Sequence, residues 1–247
     1  MIAPDAARVR AVVRKELRDY RRKRAIVVSM AVLPLLFLAE PVVAIFLVPS
    51  SGTDLDNYVV LPLLYLLLIP VLTPGTLAAY AVAGEREQGT LEPLLTTPIR
   101  KQEFILGKAA AVMIPTLALS YTVFSLFLIA VALFAKPAIA SAVFHQGPVL
   151  LALFLFAPLL AGWAIVVGMA VSVRASEVRV AQQLGTLASF PIIGVVALLA
   201  VGVIHPTFGV AVLFAVVLLA IDVRALRIVA RMFDRERLVT GTKAARS

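Results

Sequence analysis

The sequence predicts an all-α polytopic membrane protein with six transmembrane helices, an N-terminal amphipathic interface helix and a short cytosolic helix between the second and third spans. Three observations carry that expectation. Of 247 residues, 62% are hydrophobic and only 15% charged, with a mean hydropathy of +1.01, whereas a soluble domain keeps roughly a quarter of its residues charged. Uncharged stretches repeatedly reach the roughly 20 residues that a helix needs to cross a hydrocarbon core about 30 Å thick. The 23 Lys and Arg exceed the 14 Asp and Glu, giving a formal charge of +9, and their positions along the chain prove more informative than their number. The absence of Cys excludes disulfides, thiolate metal sites and Cys nucleophiles.

The chain divides into an interface helix (1–24), a six-helix membrane domain (25–223) and a basic tail (224–247). In the first unit Val9, Val12, Val13, Leu17 and Tyr20 recur at helical spacing, with Arg and Lys on the other face. The expected place for such a helix is the headgroup boundary, its cations meeting anionic lipid at about 1 kcal/mol per basic residue. Spans follow at 25–48 and 59–83, separated by a short polar turn, then at 104–135 and 148–173. Lys136 to Gly147 read as a loop. Residues 184–221 hold two more spans, broken at His205-Pro206-Thr207, and the shortness of the last leaves a re-entrant hairpin open. The first apolar run is too long for the core of a cleavable signal peptide and is expected to stay.

Orientation follows from the enrichment of Lys and Arg in cytoplasmic loops. Arg8, Arg10, Arg14, Lys15, Arg18, Arg21, Arg22, Lys23 and Arg24 precede the first span. Arg86, Arg100, Lys101 and Lys108 lie between spans two and three, Arg174 and Arg179 between four and five, and the remainder in the tail. All but Lys136 of the 23 therefore fall on one side. The expectation is a multi-pass protein of the cytoplasmic (inner) membrane with both termini cytosolic, in which the positive charge marks topology and membrane lipids are partners but nucleic acid is not.

The stretch Gly84-Glu-Arg-Glu-Gln-Gly-Thr-Leu-Glu-Pro-Leu-Leu-Thr-Thr-Pro-Ile99 is more than a connector. Gly89 can stop the preceding helix, Thr90 can cap a new one, and Pro93 is tolerated in a first helical turn. Leu91, Leu94 and Leu95 then share a face, and Thr97-Pro98 repeats the signal ahead of the third span. A short helix with an apolar face and nearby carboxylates suits docking into a groove on a soluble partner.

This stretch resembles the first cytosolic loop of the ABC-2 type permeases, the membrane subunits of one class of ABC exporter. Lys15-Glu-Leu-Arg-Asp-Tyr-Arg-Arg-Lys-Arg24 is similar to that family's N-terminal interface helix, and Arg174-Ala-Ser-Glu-Val-Arg-Val-Ala-Gln-Gln-Leu184 to its second cytosolic loop. The resemblance implies a permease that pairs with a second, identical or homologous permease and sits on separate ABC ATPase subunits, which would hold the ATP and Mg. Residues 84–98 would be the coupling helix, with Glu85, Arg86, Glu87, Gly89, Thr90 and Glu92 contacting the ATPase. Arg174, Glu177, Arg179 and Gln182 would lie near the same surface. About ten residues separate spans one and two, so the large extracytoplasmic domain of several family members is not expected. The competing reading is a non-transporting membrane scaffold or sensor that recruits a cytosolic ATPase.

The chain carries no catalytic constellation of its own. Gly84 and Gly89 have the glycine spacing of a phosphate-binding loop, but Thr90 stands where the Lys must be. No His-Glu-x-x-His pattern occurs, and His145 and His205 fall in different loops. The expectation is no enzyme, no cofactor and no metal in this chain. Glu40, before Pro41, reads as the one ionisable side chain deep within a span, a type of group that often marks a substrate or ion path. It is either a substrate- or cation-contacting carboxylate between permeases, or a protonated or hydrogen-bonded carboxyl packed in the bundle, or one reached by outer-leaflet water. Pro34, Pro41, Pro62, Pro70, Pro74, Pro115, Pro158 and Pro191 can bend the spans that contain them.

Overall fold

In an apolar surrounding the backbone must satisfy its own polar groups, which a helix does within one segment. Every regular element among the described residues is helical. The computed structural model describes residues 5–22, 24–47, 55–87, 89, 99–175, 177–200 and 208–232.

Helix α1 (Ala6–Arg22) leads to α2 (Arg24–Leu47), which runs through Pro34 and Pro41. The next segment is a succession of short helices: α3 (Leu55–Tyr65), α4 (Leu68–Leu72), α5 (Pro74–Ala79), a π-helical turn (Tyr80–Gly84) and α6 (Glu85–Glu87). The two longest helices follow, α7 (Lys101–Phe134) and α9 (Gly147–Arg174), with α8 (Pro137–His145) between them. The described chain ends with α10 (Val178–Thr186), a 3₁₀ turn (Leu187–Ser189), α11 (Phe190–Ala200) and α12 (Phe208–Met232).

Among the described residues α7, α9 and α12 are long and apolar enough to cross a membrane, and Pro34–Leu47 and Tyr58–Leu72 are shorter apolar stretches. Helix α9 is central, packing against α12, α5, α7 and α10. Two apolar cores lie along it. One, the outer core, at the end the sequence predicts to face outward, joins Val123, Phe124, Phe127, Leu153, Phe156 and Leu160 to α3, α4 and Leu218 of α12. The other, the inner core, joins Leu77, Phe104, Ile105, Val112, Val166 and Met169 to Tyr20 of α1 and Val229 of α12.

Four details depart from the sequence reading. The segment read as a loop over 136–147 contains α8, because Pro137 presets the first helical position and Ile139, Ala142 and Val143 share a buried face. The second apolar segment is interrupted at Leu66–Leu67 and Thr73 and widens into the π turn, where Pro70 and Pro74 bring no N–H to the ladder. Helix α12 continues to Met232, because Ala225, Leu226, Val229 and Ala230 keep an inward stripe while Arg224, Arg227 and Arg231 stay exposed. Finally, α1 turns part of its stripe toward the bundle: Val12, Glu16 and Tyr20 are buried, and the helix packs along the start of α7. Gly107 permits this close approach, since a Cβ there would stand 2.6 Å from the Val12 Cβ.

Candidate functional site

The first residues of α7 and α1 share one carboxylate. Glu103 accepts the N–H of Arg100 at 2.9 Å, the reciprocal half of a capping box, and with its other oxygen the N–H of Asp5 at 3.1 Å. Arg8 approaches the same side chain at 3.5 Å. Two helix starts are thereby fixed together.

Further along both helices lies an ionic cluster, buried at Glu16, Glu85 and Lys108 and half-exposed at Lys15. Lys108, 1% exposed, places its Nζ 3.1 Å from Glu16 Oε1 and 3.0 Å from Glu85 Oε1. Lys15 reaches the same two oxygens at 2.9 Å each. Two ammoniums and two carboxylates thus alternate around a ring built from α1, α6 and α7, with Asp19 3.6 Å from Lys15 at its exposed edge. The Lys108 ammonium also lies 5.1 Å from the centre of the Phe104 ring, a cation–π contact. The charges reset one another's titration. Burial opposes the ionised form of Glu16, but Lys108 and Lys15 outweigh it and hold the carboxyl below its usual range. Burial likewise disfavours the Lys15 ammonium, yet Glu16 and Glu85 keep its pKa above that of an ordinary lysine. Burial and the neighbouring carboxylates push the Tyr20 phenol up.

The π turn ahead of Glu85 is held from another helix. Ser172 Oγ, fully buried near the end of α9, accepts the N–H groups of Val82 at 3.1 Å and Ala83 at 3.0 Å. A hydroxyl from α9 therefore compensates a disrupted stretch of helical ladder. Two residues past Glu85, Glu87 turns the other way: its Oε1 accepts the N–H of Val178 at 2.7 Å, at the first turn of α10. It takes the capping place that the preceding Glu177 leaves, since Glu177 makes no side-chain cap bond. Ala83, Ala175, Val178 and Ala181 close the gap between the two segments.

The expected coupling residues therefore fall in different surroundings. Glu85 is buried and faces the interior ring, whereas Glu87 is exposed and joins the two segments expected to be cytosolic. Gly89 is exposed with φ 65°, the left-handed conformation that ends a helix, as its position after α6 predicts. Arg174, Glu177 and Arg179 are exposed beside this junction and Gln182 is half-buried. Of Arg86 the backbone alone is described, and Thr90, Glu92 and the rest of 90–98 lie outside the described residues. Glu40 is exposed on α2, one turn after Phe37, whose ring packs 5.6 Å from that of Tyr65. It is remote in sequence and element from the ring and the junction. Sequence reasoning missed Glu16, Glu103, Lys108 and Ser172. Glu103 was findable, as an acidic residue three positions into a helix; the others take their meaning from helices distant in sequence. Among the described residues no group of His, Asp and Glu could hold a metal ion.

An all-helical chain with membrane-length apolar helices is an integral membrane protein. A family profile described as ABC-2 family transporter protein matches residues 12–179, covering most of α1, the ring and the start of α10. That match takes in more than half of the chain, so the chain belongs to the ABC-2 transporter family and is an ABC transporter permease. No curated protein matches the sequence.

Proposed function

We propose that this permease forms a dimer in the cytoplasmic membrane, six spans per chain with both termini cytosolic, and exports a substrate using ATP hydrolysed by separate ABC ATPase subunits that hold the ATP and Mg. The observation that carries the reading is the bond from Val178 N–H to Glu87, because it joins the two segments expected to face the ATPase into one unit. A push on that unit has two routes inward. One runs through Glu85 and the ionic ring to α1 and the root of α7. The other runs through Ser172 and the π turn to α9.

Within this reading Arg86, Glu87, Gly89, Thr90 and Glu92 form the contact with the ATPase, with Arg174, Glu177, Arg179 and Gln182 at its margin. Glu85 belongs to the same element and passes the displacement inward. Charged contacts serve that purpose because, taken out of water, they hold a defined geometry instead of sliding as apolar surfaces do. Exposed on α2, Glu40 is available to a substrate or to the second permease.

The test is purification of the full chain from its native membrane, followed by assay in inverted vesicles. An ABC ATPase is expected to co-purify, and its hydrolysis is expected to rise with a transported compound and to drive its uptake. An ATPase that co-purifies but supports no stimulated hydrolysis and no uptake would establish the scaffold reading instead.

A further inference from the structure

Between the two apolar cores runs a seam that is polar. On α12 the inward stripe passes from Leu218 of the outer core to Ala225 and Leu226 of the inner one, and the residue between them is Asp222. Its Oδ1 is buried with no hydrogen-bond partner among the described residues. Its Oδ2 lies against α9 at Gly162, where a Cβ would stand 2.6 Å from that oxygen and 3.8 Å from the Met113 Cε of α7. Any side chain at residue 162 would occupy the space of the carboxylate. The seam continues on α7 with Thr116 and Ser120, both fully buried. The Thr116 hydroxyl donates to the Val112 carbonyl at 2.9 Å, and the Ser120 Oγ has no partner among the described residues.

The seam is deep. Gly162 is 15 residues from the outer end of α9 and 12 from Arg174, about 22 Å and about 18 Å along the helix. A carboxylate ionised at such a depth is costly unless a positive charge joins it. Helix α9 offers none before Arg174. On α7 the Lys108 ammonium is held by Glu16 and Glu85, and Tyr121 gives its hydroxyl to the Phe154 carbonyl at 3.1 Å. Arg224 and Arg227 of α12 are exposed, and Tyr20 of α1, which reaches the inner core, is an acid. We propose that Asp222, with Gly162 giving it room, is a binding site for a single positive charge, occupied by a proton when α12 is seated on α9 and open to a cation when the seam parts.

The assay uses the full chain in liposomes, without an ATPase, so that its result is independent of the coupling proposal. Dicyclohexylcarbodiimide partitions into the bilayer and reacts with neutral carboxyl groups; the acid O–H adds across one C=N bond and the adduct rearranges to an N-acylurea, with no atoms lost. Mass spectrometry of the peptide containing Asp222 is expected to show modification at about pH 6 that falls several-fold toward about pH 9, where an ordinary carboxyl is ionised throughout. D222N is expected to abolish the adduct, and G162A to reduce it several-fold by displacing the carboxyl. Tetraphenylphosphonium separates the two sources of charge: protection by it shows that the site takes an organic cation, and its failure to protect leaves the proton as the occupant. No adduct at any pH would overturn the proposal. So would an adduct undiminished at the higher pH, which marks an acid packed permanently neutral. The wild-type pH profile decides even where a variant fails to fold.

Discussion

The two halves of this permease, outer and cytosolic in the proposed orientation, are held together by different physics. In the outer half α7, α9 and α12 meet through rings: Tyr121 stacks on Phe154 with centroids 5.4 Å apart, Phe124 meets Phe154 edge-on at 6.0 Å, and Phe156 lies 5.7 Å from Phe214. Within a bilayer such contacts gain little from the hydrophobic effect, since lipid tails are as apolar as the side chains, and dispersion sets their strength. At the cytosolic end the helices are pinned by atoms with fixed partners, the ionic ring, the shared Glu103 and the hydroxyl of Ser172. An apolar interface tolerates a small slide; a ring of four charges with separations near 3 Å does not. The cytosolic end is therefore registered as a unit, while the outer helices keep freedom to shift.

The largest way to break that contrast is Lys108→Met. It leaves two buried carboxylates facing Lys15 alone, and breaking a buried ion pair costs about 3–5 kcal/mol. Thermal unfolding of the purified chain is expected to fall by several degrees or more, whereas Phe154→Leu in the outer half, which keeps an apolar side chain, is expected to cost about 1 kcal/mol. Adding Glu16→Gln and Glu85→Gln to Lys108→Met removes the stranded charges and should recover much of the loss. A triple variant no more stable than Lys108→Met would show that the ring is not the source of the registration.

Next in size is Ser172→Ala. It removes the acceptor for the Val82 and Ala83 N–H groups, and a buried amide left without a partner costs about 1–3 kcal/mol. Amide hydrogen exchange is expected to accelerate at 80–85 and to stay unchanged along α8. Uniform acceleration over the chain would mean that Ser172 supports the global fold and has no special hold on the π turn.

How far this division could be read in advance differs between its parts. The long apolar runs announced α7 and α9 nearly to the residue, because membrane spans are a property of local composition. The turn at Gly89 was equally legible, since glycine alone adopts its φ without cost. The ring was not. Glu16 and Lys108 lie 92 positions apart, and Lys108 read as one more basic residue marking the cytosolic side. Nor was the π turn, whose N–H groups are met by a serine on another helix. Asp222 was missed for a third reason. The charges at 222, 224, 227 and 231 look like the beginning of a tail when counted along the chain, and their distribution around the helix is what keeps α12 going to Met232.

Glu87→Ala sharpens the comparison within the cytosolic end. Losing a cap costs about 1 kcal/mol, so stability should change little. The functional effect should exceed the structural one, because the two cytosolic segments would then move separately. Substrate-stimulated ATP hydrolysis in the assembled transporter is expected to fall several-fold while the ATPase still co-purifies. Loss of co-purification would instead place Glu87 in the docking contact itself.

The smallest expected effect is that of pH on the ring, and its near absence is diagnostic. Glu16 has a folded-state pKa below its ordinary value of 4.5, so its contribution to stability is fully present above that value and is lost as pH falls through the depressed one. Lys15 is shifted upward from 10.5, so its contribution is complete below that value and is lost only as pH rises beyond it, through the folded pKa. Between these limits neither group exchanges protons on unfolding, and the difference in melting temperature between the wild type and Glu16→Gln should be constant. It should shrink only below about pH 4.5, where the unfolded carboxyl becomes protonated before the folded one. A difference that varied across neutral pH would require a proton on the ring in the native state, and the picture of two ammoniums balanced by two carboxylates would have to be given up.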